Sequence, residues 1–317
     1  MQISLITPAG KRSKSGNWTT ADRWAGILRH LGHAVSVSDA WDGVDCDLMI
    51  ALHAWRSAES IDRFRDTFPA RPLVVVLTGT DIYRFQESHP EVTRRSMDQA
   101  DALVCLHNRV NRDIPAEFGP KLFVVPQSCT PLSRPRRPSV RHFDISVIGH
   151  LRDVKDPFRA AFAVRDLPPE SRLRVIHLGG ADEESWAREA QAEMARNPRY
   201  IWRGEAPRWR VRREFAKTHL MVISSVMEGG ANVVSEAIVA GVPVIASNIS
   251  GNIGMLGEDY PGYFATGDTS ALRGLLLRAE RDSAFLDDLT RRCVALAGRY
   301  TPENEAACWQ KVLRRFT

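Results

Sequence analysis

Short apolar runs recur along the chain, separated by stretches of helical periodicity. Residues 2–7, 34–38, 47–52, 73–78, 102–106 and 122–125 each read as a buried strand. Helical patterns lie between most of them, with one expected from a Thr19–Asp22 start, capped by threonine, to about Leu31. A second series follows at 143–149, 174–178, 200–203, 221–224 and 242–246. Helices are expected between these from Asp156, from about Asp182 and after Gly230. Strands alternating with helices predict parallel α/β sheets. Thr301-Pro302-Glu303 is a helix start with proline at the first position. Pro131, Pro135 and Pro138, interleaved with arginines, have the composition of an extended linker. The expected division is therefore 1–135, 136–300, and a closing helix within 301–317 that returns to the first domain.

Composition agrees with two globular domains: 317 residues, 44% hydrophobic and 26% charged. No apolar run nears the ~18 residues that span a bilayer. Met1–Ile6 reads as a first strand rather than a signal peptide. Cys46, Cys105, Cys129, Cys293 and Cys308 form no CxxC pair and no cluster with histidine. The expectation is no metal, no disulfide and a cytoplasmic location. Net charge is +5 and the pI about 9.1. Basic and acidic residues mostly interleave, which argues against nucleic acid and for small anionic ligands. Two basic clusters stand out: Lys11-Arg12-Ser13-Lys14, and Arg134, Arg136, Arg137 and Arg141. No GxGxxG follows the first strand, so a dinucleotide cofactor is disfavoured.

The most informative stretch is Ser224 to Ser247. It reads as strand end, glycine turn, helix, glycine stop and strand, and Gly229 and Gly230 allow a sharp turn close to a ligand. Gly241 suits a left-handed cap and Pro243 prevents continuation. The helix start would attract phosphate. Glu228 lies just before it, and Glu236 up to ~12 Å downstream along the axis. Two carboxylates flanking a phosphate site make sense as acceptors for hydroxyls at either end of the ligand. Hexose, diphosphate and ribose have that layout. A capping Glu228 and a solvated Glu236 are the plainer alternative. Near the N-terminus, Lys11, Arg12 and Lys14 precede Gly16-Asn17 and a helix, which makes a second candidate anion site. A solvated basic loop is the alternative there.

Glu228-Gly229-Gly230-Ala231-Asn232, with Glu236, resembles the donor signature of the family 4 retaining glycosyltransferases. It departs from their Glu-Gly-Phe-Gly at the third and fourth positions. Gly149-His150-Leu151-Arg152-Asp153-Val154-Lys155 is similar to their basic diphosphate loop. His150 replaces an arginine there, Lys155 aligns, and Arg152 stands two residues along. Trp202-Arg203-Gly204-Glu205 resembles the turn under the nucleotide base. Asp101–His107 and Val125-Pro126-Gln127 also match, and His53 stands where the family carries a histidine after a strand. The resemblance implies a GT-B fold, with two Rossmann-like parallel α/β domains facing a central cleft. It implies a UDP-sugar donor held by Arg152, Lys155, Arg203, Glu228, Gly229, Gly230, Ala231, Asn232 and Glu236. His53, Glu228 and Lys155 would be at the reaction centre, without a metal or other cofactor.

Thr7 to Ala21 looks like the opening of the selenosugar synthases of selenoneine biosynthesis, which join selenophosphate to UDP-glucose or UDP-N-acetylglucosamine. On that likeness Lys11, Arg12, Lys14, Gly16, Asn17, Thr19, Thr20 and Thr80 would hold selenophosphate. Two alternatives stay open: transfer to a sugar or lipid acceptor, and a non-catalytic UDP-sugar-binding protein.

Overall fold

A computed structural model describes residues 1–8, 10 and 16–316. The chain divides into two compact units, Met1–Ser128 with Arg299–Thr317, and Cys129–Gly298.

The first unit contains β1 (Gln2–Ile6), α1 (Gly16–His30), β2 (Ala34–Ser38), β3 (Leu48–Leu52), α2 (Ala58–Thr67) and β4 (Leu73–Val76). A π-helical turn, Asp81–Phe85, leads to α3 (Gln86–Ser88) and α4 (Pro90–Gln99). Then come β5 (Ala102–Cys105), α5 (Val110–Asp113) and β6 (Leu122–Val124). All strand pairings are parallel, in the order β2-β1-β3-β4-β5-β6. Every residue of β3, β4 and β5 is buried. A parallel sheet covered on both faces produces such unbroken apolar runs.

The second unit repeats the plan with β7 (Phe143–Ile148), α6 (Arg159–Ala163), β8 (Leu173–Leu178), α7 (Glu184–Arg196), β9 (Tyr200–Trp202) and α8 (Arg208–Phe215). It continues through β10 (Leu220–Ile223), α9 (Asn232–Val239), β11 (Val244–Ser247), α10 (Ser250–Leu256), β12 (Tyr263–Phe264), α11 (Thr269–Arg281) and α12 (Ser283–Leu296). Its sheet is also parallel, ordered β12-β11-β10-β7-β8-β9. Each sheet thus has a point where strand order reverses, β1 beside β3 and β7 beside β10. Crossovers leave on opposite faces there, which opens a crevice at the carboxyl ends.

The last helix, α13 (Pro302–Leu313), belongs to the first unit. Thr301 caps it, its hydroxyl accepting from Asn304 N–H at 3.2 Å. Trp309 meets Trp24 of α1 edge-on, with centroids 4.9 Å apart. Fully buried Glu305 accepts from Trp24 Nε1 at 2.6 Å, Ser128 N–H at 3.0 Å and Arg23 Nε at 3.1 Å.

Three local expectations are corrected. α1 opens at Gly16, so Thr19 and Thr20 lie inside the helix and do not cap it. Thr20 Oγ1 instead donates to the Gly16 carbonyl at 2.8 Å, a back-bond that a helical threonine makes readily. No helix starts at Asp156: a 3-10 turn covers Asp153–Lys155, Asp156 is left-handed (φ 43°), and α6 begins at Arg159. Residues 77 and 78 do not extend β4, because Thr78 N–H turns to the Asp81 carboxylate.

Candidate functional site

In the second unit, the turn after β10 and the loop after β7 are stitched together. Val226 N–H donates to Val154 C=O at 3.0 Å. Ser224 Oγ donates to the carbonyls of Asp156 at 2.8 Å and Lys155 at 3.2 Å. Between them lies an open hollow, lined by Gly149, His150, Lys155, Pro157, His177, Ser224 and Ser225. It sits at the carboxyl ends of β7 and β10, where strand order reverses. Two residues predicted from sequence meet here: Lys155 Nζ donates to Glu228 Oε1 at 2.5 Å. The same oxygen accepts from Ser225 Oγ at 2.5 Å.

The rest of the turn is held by close packing. Gly230 has φ 137°, a backbone that L side chains rarely adopt. Gly251, in α10, lies so near the Glu228 carbonyl that an added Cβ would sit 2.0 Å from its oxygen. Ala231 precedes α9 in extended conformation, and no side chain caps the helix. Such a start suits an anion. Ser247 Oγ donates to Ser225 C=O at 2.5 Å, and Asn252 Nδ2 donates to Ser247 Oγ at 3.0 Å.

The other donor-side candidates are less concentrated. Gly229 is buried, and Asn232 and Glu236 are half-buried on the first two turns of α9. Glu236 faces Arg208 Nε at 3.9 Å. Arg152 is exposed on the loop after β7. Arg203, just past β9, lies 3.3 Å from Glu214, whose carboxyl burial pushes up and Arg203 lowers. His150 is 3.7 Å from Asp182. His177 donates from Nε2 to Gly149 C=O and accepts from Tyr200 at Nδ1, both at 3.0 Å. Burial lowers its pKa to about 4, so the ring is neutral near pH 7.

In the first unit, His53 follows β3 with φ 75° and is almost wholly buried. Its Nδ1 accepts from Arg56 N–H at 3.1 Å, so the neutral ring carries its proton on Nε2 and donates to Thr80 Oγ1 at 2.8 Å. Burial lowers its pKa. Asp81, a polar strand-end residue to which the sequence assigns no role, is the centre of this corner. Its fully buried carboxylate accepts N–H groups from Gly79 (2.7 Å), Thr78 (2.9 Å), Ala54 (3.1 Å) and Ile82 (3.2 Å). The Thr78-Gly79-Thr80-Asp81 turn was its only sequence signal.

On the acceptor side, Gly16 and Thr19 are exposed and Asn17 is half-buried on the first turn of α1. Thr20 accepts from Gln127 Nε2 at 2.5 Å. Among the described residues, Gln127 Oε1 and Thr7 Oγ1 are buried without a hydrogen-bond partner. Lys11, Arg12 and Lys14 lie outside the described residues.

Known proteins share this architecture. The structure is similar to that of Anabaena Alr3699/HepE, described in complex with UDP, at TM-score 0.79 and 15% identity, over 99% of this chain and 100% of that one. It is similar to sucrose-phosphate synthase from Thermosynechococcus elongatus at TM-score 0.79 and 16% identity, over 99% and 98%. The lipopolysaccharide outer core galactosyltransferase WaaB, in its apo form, matches at TM-score 0.70 and 13% identity over the whole of both chains. These likenesses show the GT-B fold. The family model for glycosyl transferases group 1 matches residues 134–293, half of the chain and nearly all of the second unit. The chain belongs to that glycosyltransferase family.

Proposed function

We propose that the protein is a UDP-sugar-dependent glycosyltransferase whose donor lies in the second unit, and that its acceptor is selenophosphate. The observation that carries the donor assignment is the Lys155–Glu228 pair at the strand-reversal crevice. A diphosphate would draw Lys155 away from Glu228 and free the carboxylate for sugar hydroxyls. Lys155, Arg152 and the start of α9 would then stabilise the charge that builds on departing UDP. Gly229, Gly230 and Ala231 would let the diphosphate approach the backbone, with Asn232 beside it. Glu236 would take ribose hydroxyls and Arg203 the base. No metal or other cofactor is needed for these roles. The complexes of HepE with UDP-glucose and of pneumococcal GtfA with UDP and GlcNAc support this donor class.

The acceptor assignment rests on the Thr7–Ala21 stretch and its basic residues. Selenium would attack the anomeric carbon, the C1–O bond to UDP would break, and a C–Se bond would form. The selenium is already anionic, so no strong base is required. A neutral, proton-donating His53 beside Thr80 fits that requirement. One observation favours a second reading, transfer to a sugar or lipid hydroxyl. Gln127 Oε1, unpartnered among the described residues, three residues past β6 and bonded through its amide to α1, is a buried acceptor that suits a hydroxyl better than an anion.

A reaction of the protein with UDP-glucose or UDP-N-acetylglucosamine and selenophosphate should yield UDP and a product with selenium's isotope pattern in its mass spectrum. UDP release only with sugar or lipid acceptors would replace the selenophosphate reading and keep the donor. Absence of UDP binding would remove both.

A further inference from the structure

The net charge of +5 is concentrated in one place. The segment 130–141 carries Arg134, Arg136, Arg137 and Arg141 and no acid. Residues 208–217 carry Arg208, Arg210, Arg212, Arg213 and Lys217, with Glu214 as the one acid. That glutamate is buried and faces Arg203. These two stretches hold a formal +8, which leaves −3 for the rest of the chain. The interleaving of charges read from sequence does not describe this surface.

Hydrogen bonds join the two stretches into one strip. Arg137 N–H donates to Ala216 C=O at 2.8 Å, and Ser139 N–H to Lys217 C=O at 3.1 Å. Arg212 donates to the carbonyls of Thr130 at 2.9 Å and Pro131 at 2.5 Å. Arg136, half-buried, donates to Thr218 C=O at 2.6 Å. These two arginines are staples, and the other basic side chains of the strip are exposed. Among them stand two apolar side chains in water, Trp209 at 63% exposure and Val140 at 91%.

Cations alone would suit any polyanion. An indole and an isopropyl group held out beside them suit the boundary between lipid headgroups and acyl chains, where an aromatic ring is stable with one side wet. We propose that this strip docks the protein on the surface of an anionic phospholipid bilayer, with arginines at headgroup phosphates and Trp209 and Val140 at the acyl boundary. No described helix is long and apolar enough to cross a membrane, and surface docking requires none. The proposal is independent of the acceptor.

The test is co-sedimentation of the full chain with vesicles at about 0.1 M salt, where charges act over about 10 Å. Vesicles of phosphatidylcholine with phosphatidylglycerol should retain the protein, and pure phosphatidylcholine should not. Each basic residue at such a surface contributes about fivefold to partitioning, so Arg210→Glu with Arg213→Glu should reduce it by more than about tenfold. Trp209→Ala should reduce it severalfold without changing its salt dependence. Arg137→Glu with Arg141→Glu, on the other stretch, should act like the first pair and guards against a variant that fails to fold. Melting temperatures close to wild type would place the effects at the surface. Three outcomes would overturn the proposal: no binding to anionic vesicles, binding indifferent to both charge reversals, or binding only to single-stranded DNA with loss in the same variants. The last would make the strip a nucleic-acid site.

Discussion

Both units are parallel six-stranded sheets, though their strand orders differ, and one buried carboxylate in each is held in the opposite way. Asp81 accepts four backbone N–H groups from its own corner. Those donors are part of the chain path and cannot leave without unfolding it. Glu228 is held by an ammonium from another loop and a serine hydroxyl. Both are side chains that can turn toward something else, and an open hollow lies beside them. One carboxylate therefore fixes a loop, while the other is poised to exchange partners. Burial alone does not separate the two cases; the mobility of the donors does.

The largest effect that would break this contrast is on turnover. Under the proposed donor assignment, Glu228→Gln and Lys155→Ala should each reduce UDP release by about 10²–10³-fold, or roughly 3–4 kcal/mol of transition-state stabilisation. Their melting temperatures should change little. Asp81→Asn should do the reverse. It replaces a charge-accepting hub with a neutral amide, at a cost of about 2–3 kcal/mol of stability, while the folded fraction keeps its activity. Thermal melts beside steady-state rates read both. A Lys155→Ala protein as destabilised as Asp81→Asn, with normal turnover, would make the pair structural and erase the difference.

The same distinction explains what could be read from the chain. Strand runs and the glycine stop are local patterns, so of the twelve strands among the described residues all but the short β12 were anticipated, within two residues at their ends, and Gly241 has φ 70°. Lys155 and Glu228 were legible because the most specific parts of the resemblance are the two short motifs that carry them. Asp81 was not, because its role depends on Ala54, 27 residues away. Glu305 was not legible either, since it accepts from Trp24 across 281 residues. Of the basic strip only Arg134 to Arg141 stood out in sequence; the 208–217 half was hidden for a related reason, since Glu214, the acid among its arginines, turns inward. Periodicity reports which way a side chain faces, and not which distant group it meets.

Acid should probe both units through their buried histidines. Burial lowers His107, past the end of β5, and His177, in β8, to about 4. An unfolded chain protonates histidine near 6.5. Between those values the unfolded state binds the extra protons, so stability is full above about pH 6.5 and falls as pH drops toward 4. At pH 5 the loss is about 2 kcal/mol for each histidine. Melting temperature followed from pH 7.5 to 4.5 should decline, and His177→Asn should flatten the decline relative to its own pH 7.5 value. A slope unchanged in that variant would place the acid sensitivity outside the second unit's crevice.

The smallest effect tests how finely Glu228 is aimed. Gly251 and the turn fix its backbone, since an added Cβ would meet its carbonyl. Ser225 fixes the carboxylate, and Ser247 in turn holds the Ser225 carbonyl. Ser225→Ala removes one hydrogen bond and leaves Lys155 in place, which costs about 1 kcal/mol, or about fivefold. If Glu228 grips sugar hydroxyls equally before and during transfer, that factor appears in KM for the donor, with kcat preserved. Ser225→Thr keeps the hydroxyl and should recover most of the affinity. A general loosening of the turn would instead lower the melting temperature and leave Thr no better than Ala. An unchanged KM in Ser225→Ala would mean that Lys155 alone orients Glu228, and the serine would then belong with Asp81 among the groups that only hold the chain.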